Sequence, residues 1–149
     1  MEAKRPLPTI RRATAADYDQ IIAVWATGGG HFSAQGRESL EAFRRQVELM
    51  GHLYFVAVDG DRVIGVVLGS HDHRKGWVNR LAVLPEYRRR GVAAALVSTC
   101  DAAIRACGIE IVAALVETHN AASIALFERL GYHADVPVLY FRKLSQPGA

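Results

Sequence analysis

The sequence predicts an α/β fold in which one mixed, mostly antiparallel sheet has a central parallel strand pair and helices on both faces. Short apolar segments joined by tight turn signals such as Asp59-Gly60 indicate antiparallel neighbours. An apolar pattern with helical spacing lies between two later strands, which indicates a parallel pair with a right-handed crossover. Half of the 149 residues are hydrophobic and 22% are charged, as in ordinary folded domains.

The first half of the chain predicts a short strand, two helices and a hairpin. Thr14 is a typical helix N-cap, and Asp17 follows it at an acidic first-turn position. The second helix has only a narrow apolar stripe. The predicted elements are a strand at Thr9–Ala13, a helix from Thr14 to Gly28–Gly30, a helix at about Ser39–Met50, and strands at Leu53–Val58 and Val63–Gly69.

The second half predicts strands that alternate with two helices. Pro85 ends one strand, Gly108 is suited to cap a helix, and Asn120 is suited to begin the last one. The predicted elements are strands at Trp77–Leu84 and Ile109–Val116, helices at Gly91–Cys107 and from Asn120 to Gly131, and one or two final strands within His133–Leu144. The Ile109–Val116 strand is nearly all apolar and is expected to be buried. We therefore expect one domain over residues 1–149, with its core at about 9–144 and short loose tails.

Charge and composition exclude several classes of protein. No apolar run approaches the ~20 residues of a membrane span, and Met1–Pro8 lacks the apolar core of a signal peptide, so we expect a cytoplasmic protein without a membrane partner. The formal net charge of +3 is too small to indicate a nucleic-acid partner. The stretch from Arg74 to Arg90 contains six basic residues and only one acid, Glu86, which favours a local anion site. The basic residues are Arg74, Lys75, Arg80, Arg88, Arg89 and Arg90.

The two cysteines and the histidines do not predict a metal site. Cys100 and Cys107 share a predicted helix and lie about 10.5 Å apart along its axis. That is too far for a disulfide, so both are expected to be small buried apolar residues. No set of four Cys or His has zinc spacing, and His71-Asp72-His73 lacks an evident third ligand. This segment is interpreted first as a surface turn, then as a general base, and last as a metal site.

The most informative stretch runs from Val83 to Leu96. A strand stops at Pro85, a basic loop follows, and Gly91 opens a helix. Unpaired N–H groups at a helix N-terminus attract anions, and the small residues Gly91 and Ala93 let a phosphate approach the backbone. The alternative is a solvated basic turn before an ordinary helix. The pattern is neither a Walker loop nor a Gly-x-Gly-x-x-Gly fingerprint.

Two segments resemble the signatures of a known family, the GCN5-related N-acetyltransferases (GNAT). Arg88-Arg-Arg-Gly91-Val-Ala93 is similar to its acetyl-CoA signature, Arg/Gln-x-x-Gly-x-Gly/Ala. Asn120-Ala-Ala-Ser-Ile-Ala-Leu-Phe-Glu-Arg-Leu-Gly-Tyr132 is similar to its second signature, Asn-x-x-Ala/Ser-x-x-Leu-Tyr-x-x-x-Gly-Phe/Tyr. The resemblance runs from about Thr9 to Leu144. From Asp59 onward the chain is most similar to the small bacterial YpeA-like branch.

This resemblance implies an acetyl-CoA-dependent N-acetyltransferase that moves an acetyl group directly to a primary amine of a small molecule or a peptide N-terminus. The parallel strands would splay apart to admit acetyl-CoA, without a metal. The N–H of Leu81 would donate to the developing oxyanion. A homodimer paired through the last strands is also compatible with the resemblance. The residues implied to bind acetyl-CoA are Leu81, Ala82, Val83, Arg88, Arg89, Arg90, Gly91, Val92, Ala93, Ala94, Asn120, Ser123 and Phe127.

The catalytic groups of the family are only partly present. Phe127 stands where many members have a Tyr that protonates the leaving thiolate, and Phe cannot donate a proton. Asn79 and Trp77 stand where some members have a Glu or His base, and Leu115 stands where the ribosomal-protein acetylating branch has a Glu. Glu117 is the remaining candidate, which would take the amine proton through a water. Its alternative is a solvated residue at a strand end.

Other residues and functions keep open alternatives. Trp25, His31 and Phe32 flank the glycines 28–30 and would wall the acceptor site, although Trp25 is equally suited to core packing. Tyr132 and Tyr140 are expected in the core and sheet, with hydroxyls that could reach the thiolate. The rival functions are a non-catalytic acyl-CoA-binding module and an RNA-binding protein that uses the arginine cluster. The RNA-binding function is disfavoured because this cluster lacks the interleaved exposed aromatic residues that base stacking needs.

Overall fold

The strands form one five-stranded sheet in the order β1-β2-β3-β4-β5. The computed structural model describes residues 8–28, 35–135 and 137–147. The elements are β1 Thr9–Arg12, α1 Tyr18–Thr27, α2 Leu40–Met50, β2 Tyr54–Asp59, β3 Arg62–His71, β4 Lys75–Val83, α3 Val92–Ala106, β5 Ile111–Ala113 and α4 Ala121–Arg129. Within these residues, no helix has the length and apolar character needed to cross a bilayer.

Strand pairing confirms the predicted mixed sheet. The strands β1 to β4 pair antiparallel in chain order, and β4 pairs parallel with β5 across the crossover through α3. Helices lie on both faces. A Cβ added at Gly65 of β3 would lie 3.0 Å from Leu96 of α3, whereas one added at Gly28, after α1, would lie 3.5 Å from Cβ of Ala82. Gly65 pairs with Val83, and successive residues such as Ala82 and Val83 point to opposite faces of a strand.

Two glycines let α3 lie close to the sheet. A Cβ at Gly69 would lie 2.7 Å from Sγ of Cys100, and a Cβ at Gly76 would lie 2.3 Å from Cγ2 of Ile104. Leu96, Cys100 and Ile104 are spaced four residues apart on one face of α3, and all three are fully buried. Because any larger residue at Gly69 or Gly76 would push the helix away, these glycines fix how α3 seats on β3 and β4.

The predicted helix start at Thr14 and Asp17 is confirmed as a capping arrangement. A single turn of 3-10 helix, Ala15–Asp17, precedes α1, and the Asp17 carboxylate accepts the Thr14 N–H at 2.8 Å. Arg11 on β1 donates two hydrogen bonds of 2.8 Å to the same carboxylate. The Arg11 hydrogen bonds, more than any other contact, lower the pKa of the buried Asp17. The pair therefore ties the first strand to the first helix.

The prediction of a buried strand at Ile109–Val116 is wrong in length and holds in burial only at Ile109 and Val112. β5 pairs with only three residues of β4, Lys75 to Trp77. Ile111 and Leu115 are 56% and 60% exposed. The segment stops pairing because it diverges from β4, and residues 114–117 form one wall of a cavity instead of a strand.

The predicted final strands are also wrong for the residues that the structure describes. Residues 133–135 and 137–147 form no strand, and Phe141 is 87% exposed. β5 offers an edge of only three residues, and Pro137 has no N–H to donate to a sheet. The exposed large apolar residues of this segment are Val138, Leu139, Tyr140, Phe141 and Leu144. Tyr140 is thus not the core or sheet residue that was expected.

The cysteines differ from the expectation in one respect. Both are free, as predicted, and Cys100 is buried against the Leu53 carbonyl. Burial raises the pKa of the Cys100 thiol to about 12, so it behaves as a small apolar residue. Cys107 is exposed, because it stands just beyond the last turn of α3, where the sheet ends.

Candidate active site

A cavity of about 810 Å³ opens where β4 and the chain after β5 diverge. Its size lies within the usual range of small-molecule sites. It collects side chains from α1, α2, β4, α4 and the segment 114–120, which are distant in sequence. Of the residues predicted to bind donor or act in catalysis, those that line this cavity are Leu81, Glu117, Asn120, Ser123 and Phe127.

A β-bulge in β4 lies at the cavity wall. In the β3–β4 register, Val66 pairs with Ala82 and Leu68 pairs with Asn79, so Arg80 and Leu81 together stand opposite one residue of β3. Arg80 has a φ of 55°, which is rare for a residue other than glycine. A bulge leaves a residue out of the regular ladder and redirects the groups around it. The bulge therefore sets the strand geometry at Leu81, whose N–H is the predicted oxyanion donor.

The Arg80 side chain is part of the cavity wall and does not join the other bases. Its guanidinium lies 3.1 Å from the Glu38 carboxylate and 4.3 Å from the centre of the Trp25 ring. The Trp25 indole N–H donates to the Arg80 carbonyl at 3.1 Å. Burial lowers the pKa of Arg80, and the Glu38 charge opposes that shift. The expected single anion site from Arg74 to Arg90 is therefore divided, with Arg80 already engaged by an acid.

Sequence reasoning missed Glu38, Arg80 and Tyr18 as members of this cavity. Glu38 is only 10% exposed at its side chain, and its carbonyl accepts the Tyr18 hydroxyl at 2.7 Å. The available signal was a charged residue, Arg80, beside Asn79 in the interior of a strand whose neighbouring residues are apolar. Trp25 is buried in the core, as one of its two interpretations held, and it also lines the cavity together with Gly28. His31 and Phe32 lie outside the described residues.

The opposite wall is built around the start of α4. The Asn120 side chain accepts the Ser123 N–H at 3.1 Å and caps the helix, as its position in the sequence predicted. Glu117 lies in the turn before this cap, and its carboxylate is 3.0 Å from Nε2 of His119. Glu117 is 78% exposed at its side chain. It therefore stands at the water-accessible rim of the cavity and not at the end of a buried strand.

Phe127 forms part of the buried surface of the cavity. Its ring contacts the Tyr132 ring edge to face, with centroids 5.1 Å apart. The Tyr132 hydroxyl donates to the Asp101 carboxylate on α3 and does not line the cavity. Burial and this hydrogen bond raise the pKa of Tyr132. Tyr140 is exposed on the C-terminal segment, so neither tyrosine hydroxyl is presented to the cavity among the described residues.

The second group of predicted residues lies at the N-terminus of α3, next to the end of β4. Gly91 has a φ of 80°, and a Cβ there would meet no atom within 4 Å. The first hydrogen bond of the helix runs from the Ala95 N–H to the Gly91 carbonyl at 3.0 Å. The N–H groups of Gly91–Ala94 lie before the first hydrogen bond of the helix. N–H groups at this position of a helix are suited to bind an anion. Arg88, Arg89 and Arg90 are exposed around it.

The His71-Asp72-His73 segment is a surface turn, as its first interpretation held. The Asp72 carboxylate accepts the N–H groups of Arg74 and Lys75 at 2.9 and 2.8 Å and closes the turn. Neither His71 nor His73 lines the large cavity. The geometry therefore gives no support to a general base in this turn.

Comparison with known proteins adds an independent line of evidence. Residues 20–132 match the model of a family described as the acetyltransferase (GNAT) family. The chain is 34% identical over 127 residues to the acetyltransferase SG1711 of Sodalis glossinidius (strain morsitans), a match that covers 85% of this chain and 88% of that protein.

Solved structures with the same fold include two acetyltransferases. The complex of AAC(6')-Iy with the bisubstrate analogue CoA-S-monomethyl-acetylneamine superposes with a TM-score of 0.76 at 21% identity, over 91% of this chain and 97% of that chain. The PaiA N-acetyltransferase of Thermoplasma acidophilum, solved with coenzyme A, superposes with a TM-score of 0.74 at 18% identity, over 85% and 90% of the two chains. At these identities the likeness concerns the fold.

Proposed function

The chain belongs to the GNAT family of acetyltransferases, and on that premise we propose that it transfers an acetyl group from acetyl-CoA to a primary amine. The observation that carries this proposal is the bulge at Arg80–Leu81, which lies on the wall of a cavity between two diverging parallel strands. The same strand leads, after Val83, into the glycine-opened N-terminus of α3. The acceptor is a small molecule or a peptide N-terminus.

We assign donor binding to the two groups of residues described above. The N–H groups of Gly91–Ala94 and the positive end of α3 would hold the pyrophosphate, with Arg88, Arg89 and Arg90 adding positive charge. The pantetheine arm would lie along β4 at Ala82 and Val83 and reach the cavity past Asn120. Two structural neighbours were solved with CoA or a CoA-containing analogue, which supports acetyl-CoA as the cosubstrate.

The chemistry follows from the side chains around the cavity. The neutral amine would attack the thioester carbonyl carbon, and the Leu81 N–H would donate to the oxygen as it gains charge. The C–S bond then breaks, the CoA thiolate leaves, and the amine loses a proton to water at the rim, where Glu117 is exposed. Phe127 contributes apolar surface and no proton. No covalent intermediate with the protein is needed.

Polyamino small molecules are the first acceptors to test. The support is that one structural neighbour was solved with a bisubstrate analogue that contains an acetylneamine group. The likeness of the region after Asp59 to the small bacterial YpeA-like branch stays a prediction of the same kind. Neither feature selects one amine.

A second candidate is a non-catalytic acyl-CoA-binding module. The observation that favours it is the absence of an acid or base at Phe127, Asn79 and Trp77. It would use the same cleft and the same N–H groups but turn over no substrate.

Release of the free CoA thiol separates the two functions. The protein is mixed with acetyl-CoA and, in turn, with amino acids, polyamines, aminoglycosides and peptides that have free N-termini. The proposal expects thiol release that depends on one amine class and exceeds release with N-acetylated versions of the same compounds. Binding of acetyl-CoA without amine-dependent release from any class would favour the binding module.

A further inference from the structure

Two histidines and a cysteine from three separate segments converge outside the large cavity. His52 lies in the short turn Gly51–Leu53 between α2 and β2, His71 ends β3, and Cys107 follows α3. One potential ligand atom of each residue lies within 4.8 Å of those of the other two. None of the three lines the acetyl-transfer cavity.

The seating of α3 on the sheet explains why they meet. Gly69 faces Cys100, and His71 points to the same face because it is two residues further along β3. Cys107 follows Cys100 and Ile104 at helical spacing, so it stands where this face of α3 runs beyond the strand end. The Cys100 thiol also approaches the Leu53 carbonyl at 3.8 Å, which brings the neighbouring His52 to the same place.

We propose that His52, His71 and Cys107 bind a zinc ion. Imidazole nitrogen and thiolate sulfur are the usual ligands of Zn²⁺, whereas Mg²⁺ and Ca²⁺ prefer oxygen. Zinc bond lengths put tetrahedral ligand atoms roughly 3.5 Å apart, so a separation of up to 4.8 Å closes by small side-chain rotations. His52 and Cys107 are exposed and have room to rotate. The fourth ligand is water or His73, whose ring centroid lies 4.8 Å from that of His71.

Zinc binding releases a proton and changes no oxidation state. The Cys107 thiol releases its proton to solvent, and the thiolate and the imidazole lone pairs bond to the metal. Nδ1 of His71 accepts the His73 N–H at 3.0 Å. If the metal binds Nδ1, it replaces the His73 N–H there. If it binds Nε2, the ring proton lies on Nδ1, which can then no longer accept the His73 N–H. The hydrogen bond is therefore lost in both binding modes. Asp72 still closes the turn through the Arg74 and Lys75 N–H groups.

The site would join the end of β3 and the turn before β2 to the end of α3. Its expected effect is on stability, because the ligands connect three segments that are distant in sequence. The sequence does not reveal it, since its ligands come from three distant segments and lack the short spacings of zinc motifs.

Titration of the 149-residue protein, stripped of metal with a chelator, tests the proposal. Zn²⁺ is added in competition with a chromophoric chelator, and Co²⁺ is added separately to detect thiolate-to-cobalt charge transfer. We expect one Zn²⁺ per chain, a charge-transfer band, a higher melting temperature with Zn²⁺, faster amide exchange at His73, and no competition from Mg²⁺.

Variants assign the ligands. Cys107→Ser should abolish the cobalt charge-transfer band, and Cys107→Ser, His52→Ala and His71→Ala should each weaken Zn²⁺ binding by about 10-fold or more. His133→Ala removes an exposed histidine outside the cluster and should bind as wild type. Circular dichroism checks that each variant is folded. No stoichiometric Zn²⁺ binding, wild-type affinity in Cys107→Ser, or equal weakening in His133→Ala would overturn the proposal.

Discussion

Trp25 and Arg80 contact each other twice, and both contacts act on the bulge of β4. The indole N–H donates to the Arg80 carbonyl at 3.1 Å, and the guanidinium lies 4.3 Å from the ring centre. A left-handed backbone at a residue other than glycine costs about 1–2 kcal/mol. A cation–π contact of a partly buried guanidinium contributes about 1 kcal/mol, and a hydrogen bond adds about 1 kcal/mol. The two contacts thus offset the strain next to Leu81.

Replacing Trp25 tests whether this support matters for turnover. Trp25→Phe keeps an aromatic ring but leaves the Arg80 carbonyl without its indole donor. Turnover should fall by about 10-fold with acetyl-CoA affinity nearly unchanged, because the oxyanion donor acts on the transition state. Trp77→Phe is the matched control, since Trp77 contacts Lys75 and does not line the cavity. Wild-type turnover in Trp25→Phe, or an equal loss in the control, would contradict this role.

The exposure of Glu117 predicts a modest effect of its removal. A positioned general base is typically worth about 10²–10⁴-fold, whereas a solvated carboxylate at the rim is replaced by water. Glu117→Gln should therefore lower turnover by less than about 10²-fold. Glu110→Gln removes an exposed carboxylate outside the cavity and should have no effect. A larger fall in Glu117→Gln at unchanged acetyl-CoA affinity would identify it as the direct base.

The pH profile should have no descending alkaline limb. Phe127 cannot titrate, and burial with the Asp101 hydrogen bond keeps the pKa of Tyr132 above its ordinary value. The rate should rise as the acceptor amine deprotonates and then stay level to about pH 9.5, below the ordinary tyrosine pKa. Phe127→Tyr should keep acetyl-CoA affinity and add an alkaline limb. A limb in the wild type that disappears in Tyr132→Phe or Tyr140→Phe would assign the acid to that tyrosine.

Asp17 makes stability depend on pH in the acid range. Its pKa is lowered in the folded state, so its contribution is present above the unfolded pKa of about 3.9 and is lost as pH falls through the folded value. Asp17→Asn should cost about 2 kcal/mol in urea unfolding at pH 7 and progressively less below about pH 4. Asp19→Asn changes an exposed carboxylate in the first turn of α1 and should cost less, about 0.3–1 kcal/mol, because it interacts only with the helix dipole. A cost at pH 7 that stays constant into acid would rule out the ionised Asp17 as its source.

The sequence predicted the elements whose signals are local. The hairpin around Asp59-Gly60 and helices α3 and α4 follow from turn residues, caps and apolar periodicity within a few residues. The Ile109–Val116 prediction failed because apolar residues that line a cleft have the same pattern as a buried strand. In the folded chain, Ala114, Leu115 and Val116 line the cavity. The final strands failed because a strand needs a partner edge, which a single segment cannot reveal.

The candidate site also contains residues with a local sequence signal and residues that meet only in the folded chain. Gly91, Asn120 and Phe127 are predicted site residues because they stand in two sequence signatures. Their roles stay predictions, and the structure gives their surroundings. The cluster of Arg80, Trp25 and Glu38 was missed because it forms only when α1, β4 and the turn before α2 meet. The metal-site interpretation of His71-Asp72-His73 ranked last for the same physical reason, because the other proposed ligands, His52 and Cys107, come from distant segments.

Acetyl-CoA binding to a Gly91 variant tests the central claim most directly. Calorimetric titration compares the wild type with Gly91→Glu, which puts volume and negative charge where the pyrophosphate is proposed to lie. Gly108→Glu is the matched control, because Gly108 also has a left-handed φ, 85°, and open space around its Cβ position. We expect wild-type affinity in Gly108→Glu and at least about a 100-fold loss, or about 2.8 kcal/mol, in folded Gly91→Glu. Wild-type affinity in a folded Gly91→Glu protein would contradict the assignment of this helix N-terminus to acetyl-CoA.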